Sequence, residues 1–370
     1  MENKINLLFS ARDIASGYSI LNLINFFKKK KIYDISVIST SPASKLLSSY
    51  LSRNISHTCI KEKYKNRNKY FKFLTKFIQR KKYNFLITGL SGPDKNIDEA
   101  LIFISKKKNI YSFSYQDFCG DINYGFGILP DCYLVADNLS SKITKKISKK
   151  KTMVIGHLNF KETQNLDRKK KRITNKILFC GQPLNFLPGY ERTIIELLNA
   201  VNKQKKRFVF NYRPHPKEKK TFLKRLLKKI KKLDIDFSLS KEKFLYNDIY
   251  TSKYVISCYS SSIIDLSILK KKYNLKYPSS LCLLFNKDIK KYYKDYTRLN
   301  FLPYDKMKLT KAVYFKKDLN RNVEKLIENK FNFSQFKNTS YLFKNKNSSL
   351  EKLNKYMISK YDQNRNFYKK

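Results

Sequence analysis

Two short stretches in the second half of the chain carry side chains suited to holding an anion. In Tyr212-Arg213-Pro214-His215-Pro216 a guanidinium and an imidazole stand two residues apart, and each proline fixes its own φ. In Ser260-Ser261-Ser262 three hydroxyls precede the helically spaced Ile263, Ile264, Leu266, Ile268 and Leu269, so they join the free N–H groups of a helix start. In the first half, Asp117 and Asp121 share a turn with Gly120, where a carboxylate could take a proton from an attacking hydroxyl. Gly181 with Gln182, Pro216, Asp265 and Gly17 occupy further turns beside strand ends. Each candidate has a plainer alternative. His215 can satisfy backbone groups in a capping turn, and Asp117 or Asp121 can cap the segment that follows. One serine can be an N-cap with Asp265 in a box-like arrangement, and Gly17 can let a helix approach the sheet.

These side chains must be placed by strands and helices. Arg207-Phe208-Val209-Phe210 reads as a buried strand, and Phe222, Leu223, Leu226, Leu227, Ile230 and Leu233 predict an amphipathic helix beginning near Pro216. Ile5–Ser10, Ile35–Thr40, Phe85–Gly89, Ile110–Tyr115, Cys132–Asp137 and Met153–His157 read as strands of a first sheet. Lys176–Gly181, Asp234–Leu239 and Lys253–Cys258 continue the pattern in a second. Strands alternating with helices imply α/β architecture, with parallel sheets covered on both faces. Ligands then bind at the carboxyl ends of the strands, where all the candidates above fall. The turn after the first strand has one glycine, Gly17, and not the three of a dinucleotide fingerprint, which excludes NAD binding of that type.

With 370 residues, 42% hydrophobic, the chain is long enough for two cores. Lys+Arg 79 against Asp+Glu 29 gives a formal charge of +50. That excess runs along the whole chain among Asn, Ile, Tyr and Phe, as AT-rich codon usage would produce, so no specific nucleic-acid partner is expected. Peripheral contact with an anionic membrane stays compatible with it. Six cysteines without a CxxC pair read as reduced thiols, and three histidines without ligand spacing give no zinc site. Met1–Ser10 is too short in apolar residues for a signal peptide, and no run approaches the roughly 18 apolar residues of a membrane span. A cytoplasmic location, at most peripheral at the inner face of the membrane, is the expectation.

The pair Tyr212-Arg213-Pro214-His215-Pro216 and Ser260-Ser261-Ser262 resembles, in order and separation, the His-Pro and Ser-Ser motifs of bacterial sialyltransferases and related Kdo and glycerophosphate transferases of capsule and lipopolysaccharide synthesis. The resemblance covers residues 1 to about 330 loosely and implies the GT-B fold, two Rossmann-like parallel-sheet domains facing a cleft. It implies a metal-independent glycosyltransferase with no resident cofactor. The co-substrate would be a nucleotide-sugar, CMP-linked, and the acceptor a glycan or lipid-linked glycan. His215 would face the leaving phosphate as acid or electrostatic partner, with Arg213, Ser260, Ser261 and Ser262 on that phosphate and Gly181, Gln182, Pro216 and Asp265 around the nucleotide. Asp117 matches the catalytic Asp of the family's acidic motif, which departs here to Gln116-Asp117-Phe118, and Gly17 and Asp121 would lie on the acceptor side. The domain expectation is an acceptor-side domain over 1–160, a basic linker over 161–175 and a donor-side domain over 176–330. A helical extension over 331–370 would return to the first domain. A sugar-nucleotide epimerase of the same shape is the alternative, and a basic RNA-binding protein the more distant one.

Overall fold

The computed structural model describes residues 4–60, 67–90, 92, 95–158, 166–167, 175–204, 206–275, 278–331 and 346–367. The chain divides into two compact units, 1–160 with 341–370 and 161–340. Most of the expected linker over 161–175, and the start of the expected extension, lie outside the described residues.

In unit 1 the strands are β1 (Ile5–Ala11), β2 (Tyr33–Thr40), β3 (Ser56–Ile60), β4 (Phe85–Thr88), β5 (Tyr111–Tyr115), β6 (Cys132–Val135) and β7 (Lys151–Val154). They form one sheet in the order β3-β2-β1-β4-β5-β6-β7, with every pairing parallel. Between them run α1 (Ile14–Phe27), α2 (Ala43–Tyr50), α3 (Arg67–Gln79), α4 (Ile97–Lys107) and α5 (Asn138–Ser148). Side chains alternate across a strand, so β1 feeds two cores. Leu7 and Phe9 pack with Ile20, Leu23 and Ile24 of α1, while Leu8 packs with Leu74 and Phe77 of α3 and Leu101 and Ile104 of α4. Both faces are therefore covered, which is why β1 and β4 read as near-continuous apolar runs and not as alternating ones.

Unit 2 repeats the plan with β8 (Lys176–Cys180), β9 (Val209–Arg213), β10 (Asp236–Leu239), β11 (Tyr254–Ser257), β12 (Ser279–Leu283) and β13 (Lys311–Val313). Their order is β10-β9-β8-β11-β12-β13, again all parallel. The helices are α6 (Pro188–Asn202), α7 (Lys220–Ile230), α8 (Leu245–Thr251), α9 (Ser262–Lys272), α10 (Lys287–Thr297), α11 (Pro303–Lys306) and α12 (Leu319–Ile327). Helix α9 is buried almost all round as far as Lys270, with Ile263, Leu266, Ile268 and Leu269 at 0% exposure. Last comes α13 (Lys346–Phe367), whose Leu350, Leu353 and Met357 complete the α1-side core of unit 1.

Each sheet reverses strand order once, between β1 and β4 in unit 1 and between β8 and β11 in unit 2. At such a reversal neighbouring loops leave in opposite directions and open a crevice at the carboxyl ends of the strands. No helix among the described residues is long and apolar enough to cross a membrane.

Candidate active site at two sheet edges

At the carboxyl edge of unit 2, three adjacent strand ends supply the candidate groups. β9 runs on through Arg213, further than its sequence suggests, because Asn211 to Arg213 pair in register with β8. The chain then turns at His215 and α7 begins at Lys220, not near Pro216. The turn is closed by its own atoms. The Glu218 N–H donates to the His215 carbonyl at 2.8 Å, and the His215 N–H donates to Glu218 Oε2 at 2.6 Å. Pro216 is an exposed corner of this turn and not the first residue of a helix. His215 Nδ1 accepts the Lys217 N–H at 3.1 Å, so the neutral ring carries its proton on Nε2 and presents a donor there.

Arg213 is held by a carboxylate and by backbone carbonyls. Its guanidinium donates to Asp248 Oδ2 at 2.6 Å, to the Glu242 carbonyl at 2.9 Å and to the Lys243 carbonyl at 3.3 Å. Asp248 is fully buried on α8, and Lys176 Nζ approaches its other oxygen at 3.7 Å. A buried carboxylate must be paired, and Arg213 is its close cationic partner, so the guanidinium read as a phosphate ligand is already engaged.

Ser260 Oγ accepts the Ser262 N–H at 3.2 Å, so Ser260 caps the entry to α9 and Ser261 stands exposed at the N-cap. Ser262 is 3% exposed, and its buried Oγ has no hydrogen-bond partner among the described residues beyond the weakly accepting Cys180 sulfur beside it. The box with Asp265 is not formed, since Asp265 Oδ1 accepts the Tyr246 hydroxyl at 3.1 Å. Gly181 is where backbone must pass closely: a Cβ there would stand 2.7 Å from Glu218 Oε2 and 2.8 Å from the Arg213 carbonyl. Gln182 is buried, and its Oε1 accepts the Cys258 and Tyr259 N–H groups at 3.1 and 2.9 Å, so it ties β8 to β11 across the strand reversal and is not a surface ligand.

The carboxyl edge of unit 1 is acidic. Asp117 follows β5, Asp13 follows β1, and Asp98 opens α4 after β4. Burial, then the charges of Asp13 and, more weakly, Asp98, push the Asp117 carboxyl up to about 6. Its loop is held by Gln116, whose amide donates to the Asp121 carbonyl at 2.7 Å and accepts from Thr144 at 3.0 Å, and Gly120 makes the turn at φ 85°. Asp98 is buried and accepts the Ser10 hydroxyl at 2.5 Å.

Two residues assigned to an acceptor side lie inside the fold. Asp121 is 2% exposed, close enough to Tyr133 for its charge to raise that phenol, and Gly17 lies inside α1, where a Cβ would meet Leu46 at 3.1 Å and Ala43 at 3.3 Å, so it seats α1 on α2. The structure thus brings His215, Ser260–Ser262, Gly181 and Gln182 to one edge of unit 2 and Asp117 to the equivalent edge of unit 1.

Sequence reasoning missed Glu218, Tyr190, Asp13 and Asp98. A signal existed for two of them. Glu218 stands three residues beyond His215, and Asp98 follows Asn96, whose capping box with Glu99 marks the start of α4.

No family model matches the chain, and no curated protein matches it in sequence. Solved structures match over nearly its whole length. MnaA of S. aureus, solved with UDP, aligns at a TM-score of 0.68 and 13% identity, covering 96% of this chain and 97% of that one. UDP-GlcNAc 2-epimerase from Neisseria meningitidis bound to UDP-GlcNAc gives 0.65 and 12%, covering 96% and 100%. A glycosyltransferase from Rickettsia africae gives 0.63 and 14%, covering 97% and 99%. At such identities the likeness is one of fold: the chain has the two parallel-sheet α/β domains of GT-B enzymes.

Proposed function

We propose that the chain is a nucleotide-sugar enzyme, and that it transfers the sugar to a glycan or lipid-linked glycan acceptor of a bacterial surface polysaccharide. The single observation that carries this reading is the placement of Asp117 at the carboxyl end of β5, one strand from the reversal of unit 1, where burial and the neighbouring Asp13 and Asp98 raise its carboxyl to about 6. A group with that affinity is ionised at neutral pH and still basic enough to receive a proton. In the proposed step Asp117 takes the proton of an acceptor hydroxyl while that oxygen attacks the anomeric carbon. The bond to the nucleotide phosphate breaks, and its electron pair stays on the phosphate oxygen.

The negative charge so formed would be met by the His215 Nε2–H, the Ser260–Ser262 hydroxyls and the N–H groups opening α9. Without Arg213, whose charge is held by Asp248, these donors form the positive field. Donor groups preorganised at a developing charge are worth roughly 10²–10³ in rate each. The resemblance of the His-Pro and Ser-Ser motifs favours a CMP-linked donor, whereas the fold neighbours that hold UDP or UDP-GlcNAc favour a UDP-linked one.

Epimerisation of a UDP-sugar is the second reading, and Asp13 and Asp98 beside Asp117 favour it, because removal and return of a sugar proton calls for more than one acid–base group. The test is a thermal-shift screen against CMP, CDP, UDP and GDP, followed by product analysis of the responding nucleotide-sugar with and without glycan acceptors. A response abolished in His215→Ala, with sugar consumed only when acceptor is present, supports transfer. Isomerised sugar without acceptor supports epimerisation, and no response to any nucleotide refutes both.

A further inference from the structure

A buried hydrogen-bond path joins the two loops of unit 2 that the proposed function uses. It starts at Glu218, whose Oε2 accepts the His215 N–H. Glu218 Oε1 accepts the Tyr212 hydroxyl at 2.6 Å and the Tyr190 hydroxyl at 3.1 Å. Tyr190 Oη in turn accepts the Gln182 N–H at 2.8 Å, and Gln182 Oε1 accepts the N–H groups of Cys258 and Tyr259, the residues immediately before the serine triplet. Tyr190, Tyr212 and Cys258 are at 0% exposure, Gln182 at 7% and Glu218 at 9%, so water cannot substitute for a missing member.

We propose that Glu218, Tyr190 and Gln182 are positioning residues that set His215 and Ser260–Ser262 at a fixed spacing, so that both can grip one phosphate. The proposal rests on the anion-binding reading of this edge. Burial works against the charge of Glu218 and raises its carboxyl, while the donors from Tyr212, His215 and Tyr190 hold it down. A carboxylate in that position costs the fold something, which an apolar side chain packing the same space would not. What the carboxylate adds is direction: as an acceptor-only group it forces both tyrosine protons toward itself. Tyr190 Oη is left with a lone pair for Gln182, which orders the next link. Gly181 belongs to the same arrangement, because any Cβ there would displace Glu218 Oε2 and meet the Tyr212 hydroxyl at 3.0 Å.

The path predicts that a change at one end is felt at the other. The experiment compares full-length wild type with Tyr190→Phe, Glu218→Gln and, as a matched control, Tyr314→Phe. Tyr314 is a half-buried tyrosine that likewise accepts a backbone N–H, from Leu302, and donates to a carboxylate, Asp305, but lies off the path. The first readout is amide hydrogen exchange followed by mass spectrometry, which needs no ligand. Tyr190→Phe and Glu218→Gln should each speed exchange in peptides covering both 213–218 and 258–262, and Tyr314→Phe in neither. Acceleration confined to the peptide nearest the substitution would overturn the proposal.

The second readout is UDP and CMP affinity by calorimetry in a double-mutant cycle of Tyr190→Phe with Ser262→Ala. Each single variant should weaken binding by roughly tenfold, with the pair less than additive because both act through one geometry. Full additivity would overturn the positioning role. If wild type binds neither nucleotide, the anion-binding reading falls, and the exchange data still decide whether the two loops are coupled.

Discussion

The carboxyl edges of the two sheets occupy the same topological position and do opposite electrostatic work. In unit 1 the strand ends bring Asp13 and Asp98 near Asp117, and burial, with the charges of those two acids, leaves Asp117 reluctant to ionise. In unit 2 the one carboxylate of the turn, Glu218, is directed inward onto two tyrosines and a backbone N–H, while His215 Nδ1 accepts the Lys217 N–H and the serine triplet opens α9. One edge stores a proton-accepting group at some cost to the fold. The other turns its negative charge inward. A parallel α/β sheet supplies the place, and the few residues after each strand decide which charge the place will accept.

The largest effect expected is at Asp117. Asp117→Asn should lower turnover by about 10²–10⁴ and at the same time stabilise the protein. Below the unfolded value of 3.8 both states hold the proton and the group contributes nothing; above about 6 both are ionised, and the folded state carries a penalty of roughly 3 kcal/mol. The substitution should therefore raise the unfolding midpoint by roughly 5–10 °C at pH 7.5 and leave it nearly unchanged at pH 3.5, measured by calorimetry. A variant that loses activity and stability together would contradict the idea of a strained acid.

His215→Ala comes next, with a loss of roughly 10²–10³ in turnover and a weakened nucleotide response, measured by initial rates and thermal shift. Arg213→Ala is expected to act on the fold alone. It leaves Asp248 buried with Lys176 as the remaining cation near it among the described residues, and should destabilise by roughly 3 kcal/mol in urea unfolding while the folded fraction binds nucleotide as before. Loss of nucleotide affinity in a folded Arg213→Ala protein would restore Arg213 to the phosphate. The smallest effect is expected from Asp13→Asn. Removing one repelling charge should move the acidic limb of the rate profile, governed by Asp117, to lower pH without changing its plateau.

The layered architecture was legible because strands buried on both faces must be apolar along nearly their whole length, as Phe85–Thr88 and Tyr254–Ser257 are up to their last residue. The strand ends that carry Asp117, His215 and Ser260–Ser262 were legible for the same reason. What each side chain touches was not. Arg213 looked free because its partner Asp248 lies 35 residues on, brought in by α8. Pro216 looked like the first residue of a helix because proline is common there, while the turn is in fact closed by the Glu218 side chain. Asp13 and Asp98 gave no local sign of acting on Asp117, since only the order of β1, β4 and β5 in the sheet makes the three loops neighbours.

The most direct measurement is calorimetric titration of the responding nucleoside phosphate into wild type, Asp117→Asn and His215→Ala. The division of roles between the two edges predicts that Asp117→Asn binds as tightly as wild type while inactive, and that His215→Ala binds at least about tenfold more weakly. Undiminished binding by His215→Ala, or lost binding by Asp117→Asn, would contradict it.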